Sequence, residues 1–304
     1  MLSTLTLSAV SLAACGGGGA DKAAAFGNAG IGQYSPPPIQ TDVPQAVRDA
    51  CDVSSPTIDR IKQDGALFWA IGVTPPFGFR LKSGDWAGVE AQNAAELATI
   101  LGVDFEITEY SYDVLPTTVA TGEADIVGAQ LFVTDERKQL IDFSMPYYRA
   151  GQLFYVLANS PYQTIDDLNR PDVRFVYGFG TAQRLLAEKY IPKAQATDAP
   201  LRGRLLLHEY LADHQADTTM TDAAAMGVVF EKFTHTPLAA IGLQGRVMGE
   251  RASAGDVIDP FDVAFGLPKN DEAWRGCVNA WVRELVDSGR MAERLDYWLA
   301  QPVP

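Results

Sequence analysis

The sequence predicts an α/β protein of two lobes, each a mostly parallel sheet flanked by helices, with a cleft between the lobes. Two observations predict it. From Leu67 to Val127, apolar runs of strand length alternate with segments of helical period, the order that builds a parallel sheet covered by helices. The alternation resumes at Arg174, after an apolar stretch at Gly151–Leu157 that carries the chain into a second unit, and Phe261–Leu267 returns it. Two units joined by two crossings leave a cleft, where small ligands bind. The expected organisation is a signal segment over 1–15, a linker with a short helical segment over 16–54, lobe one from 55–154 plus 261–304, and lobe two from 155–260.

Each element has a local cause. The run Met1 to Cys15 carries no charge and is too short to span a bilayer as a mature helix, so it reads as a signal segment. Residues 16–40, rich in Gly, Ala and Pro, read as linker, and Val43–Asp52 as a first helix. Ser55-Pro56 opens a second helix that stops near Gly65, with the proline in the first turn. Leu67–Val73 is a strand ending in a stiff loop, Thr74-Pro75-Pro76-Phe77-Gly78-Phe79, at the edge where open α/β sheets bind ligands. Val89–Leu101 has the helical period with Ala94, Leu97, Ala98 and Leu101 on one face, and Gly102 ends it. Val103–Glu109 is a strand, Tyr112–Thr121 a helix and Ile126–Val127 the next strand. Thr134 or Asp135 caps the helix that follows. In the second unit, Arg174–Tyr177, Leu205–His208 and Ala216–Asp222 read as strands, with helices at Ile165–Leu168, from Gln183 to Tyr190 and over Ala223–Phe230. Asp271–Asp287 and Arg290–Leu299 close the chain as helices, with Trp274, Val278, Trp281, Val282 and Leu285 along one stripe.

Composition narrows the function. With 304 residues, 47% of them hydrophobic, the chain can build sizeable cores. A formal net charge of -14 argues against nucleic acid as a partner. A small anion remains compatible, because a local cation outweighs the global sum. The three histidines, His208, His214 and His235, are scattered, no cysteine has metal-site spacing, and neither metal nor cofactor is expected. Cys51 and Cys277 stand at opposite ends of the folded part; they form either one disulfide or two buried thiols.

The candidate site is a set of polar groups at turn and strand ends. Arg137, beside a strand end and a helix start, can offer two parallel donors to a carboxylate, or else pair with a surface acid. Gly178-Phe-Gly180-Thr181-Ala-Gln183 precedes a helix and forms a nest of N–H groups. Phe77 is either a pocket wall or a loop anchor.

These pieces together resemble the type II periplasmic solute-binding proteins, specifically the polar-amino-acid family (family 3) of ABC importers. The resemblance covers about residues 55–300. It rests on Leu67–Val73 with Pro76-Phe77-Gly78-Phe79, Gly122-Glu-Ala-Asp125, Thr134-Asp-Glu-Arg137, Asp142-Phe-Ser-Met-Pro-Tyr147, Gly180-Thr181 and Ala216-Asp217 leading to Asp222. It implies that Arg137 clamps a ligand carboxylate, that Gly180-Thr181 adds donors to it, and that Asp222 accepts from an ammonium. Tyr112, and less directly Thr74, would flank the ligand. Gln130, Phe132 and Thr134 stand where the family places further contacts, with Phe132 replacing a usual serine and Glu90 replacing a related acid. Leu12-Ala-Ala-Cys15 resembles a bacterial lipobox, which implies a chain lipid-anchored through Cys15 to a membrane surface, in the periplasm or cell envelope. A monomer delivering its small-molecule ligand to an ABC permease is the partner arrangement implied.

Through Arg170-Pro-Asp-Val173, Gly180-Thr181, Ala216-Asp217 with Met220-Thr-Asp222, Phe261-Asp262 and the tail through Tyr297-Trp298-Leu299, the C-terminal half is also similar to cyclohexadienyl dehydratases, which convert prephenate or arogenate to phenylpyruvate or phenylalanine. The glutamate that would give the departing hydroxyl its proton is replaced here by Gln183, whose amide has no useful acid pKa. Binding without chemistry is therefore the expected function, with a dehydratase-like enzyme and a sensory or accessory binding module as alternatives.

Overall fold

The computed structural model describes residues 34–199, 205–223, 237–247 and 255–301. The signal segment with Cys15, the linker up to 33, the helix expected over Ala223–Phe230 beyond its first residue, and His235 lie outside the described residues.

Lobe one is built around its first strand. Helix α1 (Gln45–Cys51) leads to α2 (Pro56–Asp64), where the Ser55 hydroxyl accepts the Ile58 N–H at 3.1 Å and closes the open first turn. Strand β1 (Ala66–Ile71) enters the core, and the loop beyond it leads to a small ribbon of β2 (Phe79–Arg80) and β3 (Trp86–Ala87). Helix α3 (Val89–Leu101) ends at Gly102, whose φ of 71° is the left-handed stop that glycine adopts without strain. Strand β4 (Asp104–Glu109), helix α4 (Leu115–Ala120), strand β5 (Ile126–Val127), helix α5 (Asp135–Leu140) and strand β6 (Asp142–Phe143) follow.

The chain then crosses on β7 (Tyr148–Leu157) into lobe two. There it forms α6 (Ile165–Leu168), β8 (Arg174–Gly178), α7 (Gln183–Tyr190), β9 (Gln195–Ala199), α8 (Leu205–Ala212), β10 (Thr218–Asp222), β11 (Leu238–Gly242) and β12 (Gly245–Val247). Strand β13 (Ile258–Val263) lies antiparallel to β7 from Tyr148 opposite Val263 onward, so the two crossings run side by side. Strand β14 (Gly266–Leu267) rejoins the first sheet, and helices α9 (Glu272–Asp287) and α10 (Arg290–Ala300) cover it.

Both sheets are mixed rather than mostly parallel. In the first, ordered β4-β1-β5-β14-β6, β1 pairs parallel with β4 and β5, whereas β14 is antiparallel to its neighbours. In the second, β10, β8 and β9 are parallel, and β7 is antiparallel to β10, β11 and β13. The cause is the crossings: the strands that carry the chain between lobes run against those built by strand–helix–strand units.

Two local expectations differ from the structure. Leu205–His208 opens helix α8 instead of forming a strand. Three consecutive leucines carry no period, and the buried pair Leu207 and Leu211, four residues apart, marks a helical face instead. The neighbouring strand is β9, Gln195–Ala199, whose polar sequence hides it because it pairs at a sheet edge.

Helix α3 also departs from a simple stripe: nearly all of it is buried, including Gln92, Asn93 and Glu96. The closing helices and the 34–43 segment cover its polar side. Glu96 accepts from Trp281 Nε1 at 3.0 Å, Arg290 at 2.7 Å, Arg294 at 2.7 Å and the Gln40 backbone N–H at 3.0 Å. Gln92 accepts from Trp298 Nε1 at 2.6 Å. Burial by itself would raise the Glu96 pKa; the charges of Arg294 and Arg290 outweigh it and hold the carboxyl below its ordinary value. Cys51 of α1 and Cys277 of α9 are joined by a disulfide 226 residues apart in sequence.

Arg294→Ala leaves Glu96 buried with half its charge partners removed and is expected to destabilise by about 3–5 kcal/mol, read by chemical denaturation. The wild type should lose the Glu96 contribution as pH falls through the lowered folded value, because the unfolded chain then binds the proton first; in Glu96→Gln that part of the acid dependence should disappear. Reducing the disulfide closes off less of the unfolded chain and is expected to cost about 2–4 kcal/mol, seen as a lower melting temperature with reductant than without.

Candidate functional site

Two adjoining cavities lie between the lobes. The larger, about 320 Å³, is lined from lobe one by Tyr112, Asp113, Thr134 and Arg137 and from lobe two by Tyr177, Phe179, Gly180 and Thr181, among others. The smaller, about 30 Å³, has room for roughly two water-sized groups. It is lined by buried groups: Gln130, Phe132, Gln183, Leu207, Met220 and Thr221. Tyr112, Arg137, Thr181 and Ala182 line both cavities and stand between them.

Arg137 is placed by its helix start. Thr134 caps α5 and its hydroxyl accepts the Arg137 N–H at 3.3 Å, which sets the third helical residue facing the cleft. The guanidinium donates to the Phe132 carbonyl at 2.7 Å and, across the cleft, to the Gly180 carbonyl at 3.0 Å. Among the described residues no carboxylate lies within ion-pair distance of it, although Glu136 and Tyr112 act on it from further away. Burial pulls its pKa down to about 10, so it stays cationic at neutral pH. A half-buried cation bonded only to neutral carbonyls can still take an anion in bidentate geometry.

Gly180 brings the lobes into contact. Its φ is 73°, and a Cβ there would stand 2.3 Å from the Asp113 backbone nitrogen of lobe one. Thr181 turns back, its hydroxyl donating to the Gly178 carbonyl at 2.7 Å. A second contact spans the mouth of the larger cavity, where Arg184 lies 3.9 Å from Glu136. At the smaller cavity, Gln183 donates to Gln152 at 3.3 Å, while its own side-chain oxygen is buried with no partner among the described residues. An unpaired buried acceptor costs about 1–3 kcal/mol, so it marks a place for a water or a ligand donor.

The structure does not bring every expected residue to the cavities. Thr74 is buried behind Tyr112, the two hydroxyls paired, and Tyr112 donates onward to the Ala129 carbonyl at 2.8 Å. Phe77 is 1% exposed and packs against Tyr148 with ring centroids 5.9 Å apart, which makes it a loop anchor. Asp222 is fully buried at the end of β10, accepts from the Tyr148 hydroxyl at 3.2 Å and lines neither cavity, although its neighbours Met220 and Thr221 line the smaller one. Phe132 stacks on Phe261, centroids 5.0 Å apart. Sequence reasoning missed Gln152, Asp113, Tyr177 and Phe179. Phe179, a 48% exposed aromatic between two glycines, was the most legible of these.

A two-lobed α/β protein with a cation and a glycine turn meeting across a cleft has the architecture of a small-molecule binding protein. The comparisons specify the kind: a profile of bacterial extracellular solute-binding proteins, family 3, matches residues 69–301, and the chain belongs to that family. It is 27% identical over 248 residues to the cyclohexadienyl dehydratase of Pseudomonas aeruginosa, spanning 80% of this chain and 85% of that protein. It is 24% identical over 249 residues to the L-cystine-binding protein TcyJ of Escherichia coli K12, spanning 81% and 87%. Among solved structures it is similar to the ancestral amino acid-binding protein AncCDT-1, a precursor of cyclohexadienyl dehydratase. That match has 26% identity and a TM-score of 0.67, over 80% of this chain and 99% of that one. It is also similar to an amino acid ABC transporter substrate-binding protein of Streptococcus pneumoniae bound to L-arginine, at 25% identity and a TM-score of 0.68, over 82% and 100%. The structural relative AncCDT-1 is an amino acid-binding precursor, whereas the Pseudomonas aeruginosa relative is a dehydratase.

Gly180→Ala should prop the lobes apart, since the new methyl cannot share space with the Asp113 backbone and the left-handed conformation disfavours it. Small-angle scattering should show a larger radius of gyration than the wild type; an unchanged radius would mean the contact does not hold the lobes together.

Proposed function

We propose that the chain captures a small carboxylate-bearing solute, an amino acid or a related acid that includes aromatic ones, and hands it to an ABC permease outside the cytoplasm. One observation carries this: the half-buried guanidinium of Arg137, facing a cavity between the lobes without a carboxylate of the protein's own among the described residues. Thr181 and the turn at Gly180 stand beside it, and Tyr112 forms a wall. Closure over a ligand excludes water and strengthens the ion pair. Asp222, held by Tyr148 away from both cavities, leaves the carboxylate as the group this cleft reads first.

Chemistry is not part of this reading. Gln183 occupies the place where the resemblance to the dehydratases calls for an acid, and an amide cannot supply a proton to a leaving hydroxyl. Lipid attachment at Cys15 is proposed on the lipobox alone, with the glycines after it as a tether; Cys15→Ala should move the protein from the membrane fraction to the soluble one. A monomer suffices, because both sides of the cleft come from one chain.

A melting-shift panel of amino acids, matched keto acids and aromatic acids tests the reading. At least one carboxylate should raise the melting temperature of the wild type, and Arg137→Ala should abolish the shift by leaving ligand charge unpaired. Near-wild-type binding in that variant would remove Arg137 from the site. Asp222→Asn should weaken an amino acid and its keto acid alike; a loss confined to the amino acid would show instead that Asp222 reads the amine. Turnover of prephenate by the purified protein would overturn the binding-only conclusion.

A further inference from the structure

A buried carboxylate stands behind the ligand cleft and takes no direct part in it. Glu90, in the first turn of α3, is fully buried. Donors converge on it from three sides. The Tyr147 hydroxyl and the Gln130 backbone N–H, the latter at 3.2 Å, reach one oxygen, and the Asn93 amide reaches the other at 3.1 Å. Three donors at a helix N-terminus suit an ionised carboxylate. Burial opposes them and raises the carboxyl above its ordinary value, with Tyr147, Asn93, Gln130 and the Arg294 charge only partly offsetting it.

The Gln130 N–H is an unusual thing to hold. Gln130 has a φ of 50°, a conformation that a residue with a Cβ adopts rarely and at a cost. The turn it sits in provides the carbonyls that aim two of the side chains standing between the cavities, Tyr112 and Arg137. Ala129 receives the Tyr112 hydroxyl at 2.8 Å, and Phe132 receives the Arg137 guanidinium at 2.7 Å. Gln130 and Phe132 themselves line the smaller cavity.

The geometry points to Glu90 as a positioning residue for the cleft: by holding the Gln130 N–H, its carboxylate keeps the 128–132 turn in the form that aims Tyr112 and Arg137. The functional consequence rests on the ligand reading above, while the positioning itself does not. The groups facing Glu90 are Tyr147 from the crossing before β7, Asn93 from its own helix, Gln130 from the turn and the Arg294 charge from α10. Tyr147 stays neutral, its pKa raised by burial and then by Glu90. Arg294 is itself bonded to Asn93 and Glu96. As pH falls through the raised Glu90 value, a proton occupies one of the acceptor positions, the hold on Gln130 weakens and the turn is released.

The test uses the full chain, ¹⁵N-labelled and without ligand. The Gln130 amide and the Arg137 Nε–H resonances are followed from neutral to acid pH in a Glu136→Gln background, so that the carboxylate beside Arg137 contributes nothing. Both signals should move together with one midpoint above that of an ordinary glutamate, and both responses should vanish when Glu90→Gln is added. Movement of Gln130 alone, or both responses surviving in Glu90→Gln, would overturn the inference. If Glu90→Gln does not fold, the joint midpoint in the Glu90 protein decides the matter. A protein that binds no carboxylate in the melting panel would still show or lack this titration, so the two readings fail separately.

Discussion

Glu96 is a fully buried carboxylate, and the packing of lobe one is arranged to keep it charged. Two arginines from α10 and its entry, an indole from α9 and a backbone N–H from the 34–43 segment all reach it. A lone carboxylate in this position would be several kcal/mol uphill, on the order of the desolvation of one ion. The segments before α1 and after β14 are therefore bound to α3 by a requirement stronger than apolar contact. The disulfide between α1 and α9 ties the same termini a second time, through covalent linkage instead of charge.

That arrangement reaches the cleft through a short series of contacts. Arg294 bonds Asn93 as well as Glu96, and Asn93 bonds Glu90. Glu90 holds Gln130, and the turn around Gln130 supplies the acceptors for Tyr112 and Arg137. A cation with no carboxylate at ion-pair distance among the described residues needs such support, since its hydrogen bonds go to neutral carbonyls. The lobes meet at Gly180 because only a residue without a Cβ can come so close to the Asp113 backbone. The cleft is thus built from backbone carbonyls and one glycine as much as from side chains.

The fold was legible wherever a local rule was strong. Ser55 before Pro56, Thr134 before Asp135 and Gly102 after Leu101 mark helix ends with their own chemistry, and the structure places the ends there. The stripe from Trp274 to Leu285 reads as a buried face and is one. Legibility failed where sequence carried no period, as at Leu205–His208, or where an edge strand needed no apolar face, as at Gln195–Ala199. In the site, Arg137, Thr181 and Gln183 were visible as polar groups beside turns and line the cavities. Thr74, Phe77 and Asp222 looked alike in sequence yet lie behind those cavities, because strand ends in a folded sheet point both toward a cleft and away from it.

The sequence by itself determined the two-lobed α/β class, the helix ends marked by Ser55, Thr134 and Gly102, and the presence of an arginine suited to an anion, because periodicity, capping and charge are properties of neighbours along the chain. Only the tertiary structure decided which carboxylates are buried, that Cys51 meets Cys277, that the crossings make both sheets mixed, and that Arg137 faces the opposite lobe without a partner acid among the described residues. Those outcomes join residues dozens to hundreds of positions apart. Burial and unpaired charge depend on what the rest of the chain places beside a group, and no local pattern records that.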